Sequence, residues 1–189
     1  MTRFCLIRHG QTDWNVEGRY QGQADAPLNE VGRAQALALG KKILDQSFAA
    51  IYSSDLSRAS ETAQIIASFL HLPVSLDPRL REINQGEWEG KHISEIRTRY
   101  AQMWKKHRND PDNARPPGGE TITEVAQRMF SALNELSDVY PEGLVLVVSH
   151  GLSLATVICR SQGLPVERAY EIIPANTEPI WITWENKVT

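Results

Sequence analysis

The chain has 189 residues, with 20 Lys and Arg against 23 Asp and Glu for a formal net charge of -3, 41% hydrophobic residues and two cysteines. That length suits one compact domain with a sizeable core, and the composition excludes a fibrous, disordered or disulfide-stapled chain. Without a basic stripe, or an apolar run approaching the roughly 20 residues of a membrane span, neither nucleic acid nor a bilayer is an expected partner.

Along the chain, Arg3 to Arg8 is a short apolar run bounded by charge, the pattern of a strand buried on both faces. Asn29 reads as the N-cap of a helix whose apolar stripe is Ala34, Leu37, Ala38 and Leu44. Ala50 to Ser53 is a weaker strand, and the helix after it starts near Ser54 and presents Ala59, Ala63, Ile66, Ala67 and Leu70. Lys91 to Pro117 reads as a small cap insertion, at about 91–117, holding Tyr100, Met103, Trp104, Arg115 and the basic run Lys105-Lys106-His107-Arg108. Two readings of it stay open: a cover facing the substrate, or an exposed amphipathic helix with Trp104 in a satellite core. The basic run is a solvated helix face or a polyanion patch. Thr121 and Glu124 form a capping box for a helix carrying Ile122, Val125, Ala126, Met129, Leu133 and Leu136. Gly143 to Ser149 is a second doubly buried strand, and Leu152 to Ile158 is a buried helix. Strands at Glu171 to Ile173 and Ile180 to Glu185 follow, separated by the turn-rich Pro174 to Pro179.

Alternation of strand and helix points to a single α/β domain over 1–189, a three-layer α/β/α sandwich with a mostly parallel sheet covered on both faces. Cys5 and Cys159 lie far apart in apolar segments, where buried, reduced thiols are expected. The N-terminus reaches Arg8-His9 before a signal-peptide core could form, so a cytoplasmic location is expected.

In such sheets ligands bind beyond the carboxyl ends of the strands, and two histidines fall there. His9 follows Cys5-Leu6-Ile7-Arg8 and precedes Gly10; His150 follows Val147-Val148-Ser149 and precedes Gly151. Each glycine lets the backbone turn sharply and leaves room for a ligand. Arg8 adjoins the first histidine, and Arg58 falls in the opening turn of the helix after Ile51 to Ser53. Guanidinium forks match phosphate oxygens, and a helix N-terminus adds N–H donors. Singly, each of these residues reads more simply as structural: a satisfied histidine, a strand-end salt bridge, a surface helix arginine. Their coincidence at one sheet edge marks an anion-sized site.

The chain resembles the histidine phosphatase superfamily, which includes the cofactor-dependent phosphoglycerate mutases. The resemblance runs from Leu6-Ile7-Arg8-His9-Gly10-Gln11-Thr12 with Asn15, through Gly18-Arg19-Tyr20-Gln21-Gly22 and Ser53-Ser54-Asp55-Leu56-Ser57-Arg58-Ala59. It continues in Leu80-Arg81-Glu82, Trp88-Glu89-Gly90 and Pro117-Gly118-Gly119-Glu120-Thr121, and ends in Val148-Ser149-His150-Gly151. The resemblance implies a phosphoglycerate mutase-like fold, with His9 as nucleophile forming a phosphohistidine and Glu82 as general acid. Arg8, Arg58 and His150 would hold the phosphoryl group, with Asn15, Gln21 and Gly151 assisting. These residue types suit the chemistry. A neutral imidazole is nucleophilic near pH 7, cationic donors worth about 1.5–3 kcal/mol each neutralise the transferring group, and a carboxyl beside bound phosphate keeps its proton more readily. Glu87, Glu89 and Glu120 are rival acids; Glu82 is preferred only because it occupies the family's acid position, and Glu120 reads equally as structural or as a site-edge group.

The expected activity is hydrolysis of a small phosphate ester without metal or other cofactor, with oligomeric state left open. Mutases need lids that exclude water, and Lys91 to Pro117 is modest for that purpose. Two further classes are weaker: a metal-dependent hydrolase with His9 and His150 as ligands lacks supporting ligand spacing, and a non-catalytic phosphate-binding module would not need both His9 and Glu82. The loop Asn176-Thr177-Glu178-Pro179 departs from many relatives, and no residue-level role is assigned to it.

Overall fold

The computed structural model describes residues 1–110 and 112–186; the side chain of Arg108, last in the basic run, lies outside the described residues. In chain order the elements are β1 (Thr2–Arg8), α1 (Asp13–Glu17), α2 (Glu30–Lys42), β2 (Ala50–Ser53), α3 (Ser57–Leu70), β3 (Val74–Leu76), α4 (Ile93–Arg99), α5 (Ala101–Asn109), α6 (Ile122–Val139), β4 (Leu144–Ser149), α7 (Gly151–Ser161) and β5 (Pro179–Trp184). The strands form one sheet in the order β3-β2-β4-β1-β5, parallel throughout except β5, which runs antiparallel to β1. The expected three-layer α/β/α sandwich is therefore present.

Why the sheet is buried on both faces can be read from β1 and β4. Successive side chains point to opposite faces. Cys5, Ile7, Leu146 and Val148 join Leu39, Ala63 and Ile66 beneath α2 and α3. Phe4, Leu6, Val145 and Val147 join Met129, Leu133 and Leu154 beneath α6 and α7. Each fully buried aliphatic side chain contributes about 1.5–3 kcal/mol, so a strand apolar on both sides is held from both sides. Parallel registry of Arg8 with Ser149 sets the residues that follow them, His9 and His150, side by side at one edge.

Helix caps follow the sequence closely. The Thr121 hydroxyl accepts from Glu124 N, and the Glu124 carboxylate accepts from Thr121 N. Asn29 accepts from Gly32 N at the start of α2. Both cysteines are free and buried, and burial pushes the Cys5 thiol up to about 12. Among the described residues, no helix is long and apolar enough to cross a membrane.

Three expectations need correction. First, α2 packs by Gly32, Ala36, Leu39 and Gly40, whereas Ala34, Leu37, Ala38 and Leu44 face outward. Its contacts are too close for side chains: a Cβ on Gly40 would lie 2.4 Å from the Phe69 ring, and one on Gly32 would lie 2.2 Å from Gln11 O. Hydrophobic periodicity does not register a glycine as a contact. Second, α3 begins at Ser57, because Ser54 N donates to Val148 O and continues the strand geometry past β2. Third, Glu171 to Ile173 is not a strand. A 3-10 turn spans Val166–Glu171 and buries Ala169, and the β-branched pair after it runs irregularly towards the site. Tertiary packing overrides β-propensity there.

Candidate active site

A cavity of about 240 Å³ opens at the carboxyl ends of β1 and β4. Its wall includes Arg8, His9, Asn15, Gln21, Arg58, Glu82 and Gly151, seven of the eight residues singled out from sequence. The eighth, His150, lies against His9 with ring centroids 5.1 Å apart.

His9 is buried at the end of β1, and its Nδ1 donates to its neighbour's carbonyl, Gly10 O, at 2.7 Å. That bond fixes the tautomer and leaves Nε2 carrying the lone pair. Burial above all, then the positive charges of Arg58 and Arg8, hold the His9 pKa well below its ordinary value near 6.5. The ring is neutral at pH 7 and can attack an electrophile.

His150 is the N-cap of α7 and also fully buried. Its Nε2 lies 2.8 Å from Ser54 Oγ, which itself accepts from Leu56 N. Among the described residues His150 Nε2 is the one acceptor within reach of that hydroxyl's proton, and donation to it puts the neutral ring's own proton on Nδ1, which has no protein partner. Burial first, then Arg58, His9, Arg128 and Arg8, lower this histidine's pKa as well.

Arg58, at 0% exposure, sits in the first turn of α3 and donates to Gly22 O at 2.7 Å and Ala24 O at 2.8 Å. Arg8 donates to Pro174 O at 2.9 Å. In both guanidinium groups Nε is buried without a partner. Burial lowers Arg58 to about 10, still cationic at neutral pH. Two arginine Nε–H groups and the His150 Nδ1–H are therefore three buried donors lacking acceptors around one histidine. Buried donors are rarely left orphaned, and together these three define a receptor for an oxyanion.

Glu82 occupies the N-terminus of α7. Its Oε1 accepts from Ile83 N and Ser153 N and shares the Ser153 hydroxyl proton with Arg81 O, while Oε2 accepts only from Leu152 N at 3.1 Å. Arg128 braces the loop from behind, donating to Arg79 O, Arg81 O and Glu82 O and pairing with Glu120. The rival carboxylates sort themselves by contact. Glu120 is structural, held by Arg128 and Asn84 N; Glu89 accepts from Gln23 N and Gln85 N; Glu87 is exposed.

Asn15 and Gln21 line the cavity and are tied together by Thr12, whose single hydroxyl proton is shared between the two amide oxygens. Glycines 10 and 151 do not owe their place to a left-handed turn, since neither has positive φ. A Cβ on Gly151 would meet Ile173 at 2.9 Å and Arg8 at 3.4 Å, and one on Gly10 would meet Gly32 O at 2.5 Å. Close packing is the reason for both.

Sequence reasoning passed over Ser54, Ser153, Arg128 and the 174–177 loop as contributors. Asn176 donates to His9 O and Thr177 N donates to Arg8 O, so that loop props the end of β1. The two serines and Arg128 carried no signal separable from ordinary polar residues. Among the described residues of the cap segment, only Ile93 lines the cavity. Trp104 donates to Tyr20 Oη and His107 packs between Trp88 and Tyr170, while Lys105 and Lys106 are exposed. The satellite-core reading describes this segment better than a cover does.

A model of the histidine phosphatase superfamily (branch 1) matches residues 4–189. A probable phosphoglycerate mutase, GpmB, of Yersinia pestis (strain Pestoides F) is 39% identical over 165 residues, 87% of this chain and 77% of that protein. The structure of a mycobacterial glucosyl-3-phosphoglycerate phosphatase complexed with VO3 is 33% identical, with a TM-score of 0.87 over 96% of this chain and 90% of its own. The alpha-ribazole phosphatase from Shigella flexneri is 34% identical, with a TM-score of 0.86 over 98% and 92% of the two chains.

Proposed function

The chain belongs to the histidine phosphatase superfamily (branch 1), and from that membership we propose that it is a phosphomonoester hydrolase working through a phosphohistidine on His9. The observation that carries the reading is the convergence of three acceptor-less buried donors, on Arg8, Arg58 and His150, around a neutral His9 whose Nε2 lone pair is free.

The three donors bind the equatorial oxygens of the phosphoryl group, assisted by Asn15 and Gln21 from the rim. His9 Nε2 attacks phosphorus in line, the P–O ester bond breaks, and the leaving alkoxide takes a proton from Glu82 Oε2, the carboxyl oxygen with fewer donors. Water then attacks phosphorus while giving a proton back to Glu82, the P–N bond breaks as the new P–O bond forms, and inorganic phosphate leaves with His9 restored. The arginines and His150 meet increasing charge on the phosphoryl oxygens during both steps, where preorganised donors lower a barrier most. No metal takes part in this scheme, so activity should survive EDTA undiminished. Two buried free thiols are in keeping with a cytoplasmic enzyme.

Rapid quenching after mixing with labelled substrate should trap an acid-labile protein phosphate that is missing from His9→Ala. Its absence from the unmodified chain, or its persistence in the variant, overturns the scheme. The GpmB likeness favours a second reading, phosphoglycerate mutase. Mutase activity measured beside hydrolysis decides between the two: if mutase turnover is faster, the second reading replaces the first.

A further inference from the structure

Beyond the phosphoryl receptor the cavity wall changes character. Trp14, Tyr20, Ile83, Ile93, Leu152 and Ile173 give it apolar surface. Three arginines line the cavity among the described residues, and two of them, Arg8 and Arg58, carry the buried, unmatched Nε–H groups of the phosphoryl receptor. The third, Arg19, is already paired: its Nε donates to the Glu17 carboxylate at 2.5 Å, and its Nη1 donates to Gly90 O at 2.8 Å. The remaining charge on the wall is the Glu82 carboxyl.

An anionic group on the alcohol side of a substrate would leave water, approach Glu82 and find no unmatched cation. A buried charge without a partner costs far more than an apolar group does in the same place. We propose that the leaving group is uncharged and presents an apolar face to Trp14 and the isoleucines, so that esters carrying a carboxylate or second phosphate on the alcohol are poor substrates. This rests on the phosphomonoesterase reading and adds the class of alcohol to it. A site of this kind discriminates through the charge it cannot pair more than through the shape it fits.

The test uses the purified full chain and matched esters: benzyl phosphate against 4-carboxybenzyl phosphate, and glycerol 3-phosphate against 3-phosphoglycerate. In each pair the uncharged member should have at least about a tenfold higher kcat/KM, mainly through KM. Glu17→Gln, which releases Arg19, should narrow the gap for 3-phosphoglycerate by about threefold or more while leaving p-nitrophenyl phosphate hydrolysis unchanged. If p-nitrophenyl phosphate is hydrolysed but the carboxylated esters match or surpass their partners, this inference fails and the phosphatase reading stands. A gap that Glu17→Gln leaves untouched also overturns the role given to Arg19. If the chain hydrolyses none of these esters, the phosphatase reading fails and this inference falls with it.

Discussion

At the level of single residues, the site is set by where protons sit. Gly10 O fixes the His9 tautomer, and Ser54 sets that of His150 by donating its hydroxyl proton to Nε2 while accepting from Leu56 N. Replacing Ser54 by alanine removes the tautomer control without touching the donor itself. Ser54→Ala should lower kcat by about 10- to 100-fold with a small change in KM, and Ser54→Thr should recover most of the loss. Nitrogen chemical shifts of His150 in the resting protein should report Nδ1–H in the parent chain and a mixture in the alanine variant; an unmixed Nδ1–H signal in Ser54→Ala would count against the assignment. His9, Arg58, Glu82 and His150 were legible in the sequence because each lies just after a strand or in a quoted motif. Ser54 lay inside the same motif, yet nothing in a lone sequence separates a serine that orients an imidazole from one that ends a strand.

At the level of elements, what positions the site is contact between backbones. The turn after β1 meets the first turn of α2 so closely that a Cβ on Gly10 would strike Gly32 and a Cβ on Gly32 would strike the Gln11 backbone. Gly32→Ala must push α2 away from the strand end that holds His9, and such overpacking typically costs 1–3 kcal/mol. Urea unfolding should show a loss of about 2 kcal/mol, with activity falling at denaturant concentrations the parent tolerates. This explains why the apolar stripe expected for α2 falls on its outer face. Periodicity weighs large side chains, while this helix docks by lacking them. Caps at Asn29 and Thr121 were readable because their chemistry is local; the Val166–Glu171 turn was not, because what decides it is packing against α7.

Across the whole molecule, the strand alternation alone was enough for layer order and for a mostly parallel sheet, because apolar residues on both faces of β1 and β4 require helices on both sides. The antiparallel β5 was legible as a strand and not as a reversed one, since its direction depends on the path the chain takes after α7. Stability should carry the imprint of the two buried histidines. Both have folded-state pKa values below the unfolded value of about 6.5, so the unfolded chain binds more protons as pH falls through that point. Their contribution is complete above roughly pH 6.5 and is withdrawn progressively below it. Thermal midpoints should fall between pH 7.5 and 5, and His9→Gln should make that decline shallower; an equal slope in the variant would argue against a buried neutral His9. One feature of the sheet bears on how the molecule comes into being. β1 is made well before both strands that flank it, since β4 and β5 come from beyond residue 143. On the ribosome, Phe4 to Ile7 must therefore wait with two bare hydrogen-bonding edges until most of the chain has emerged, the state most open to wrong pairing and to capture by a holding chaperone. The same delay brings His9 and His150 together late, so no nascent fragment ending before β4 contains the site, and the centre of the sheet and the chemistry it supports are completed in one step.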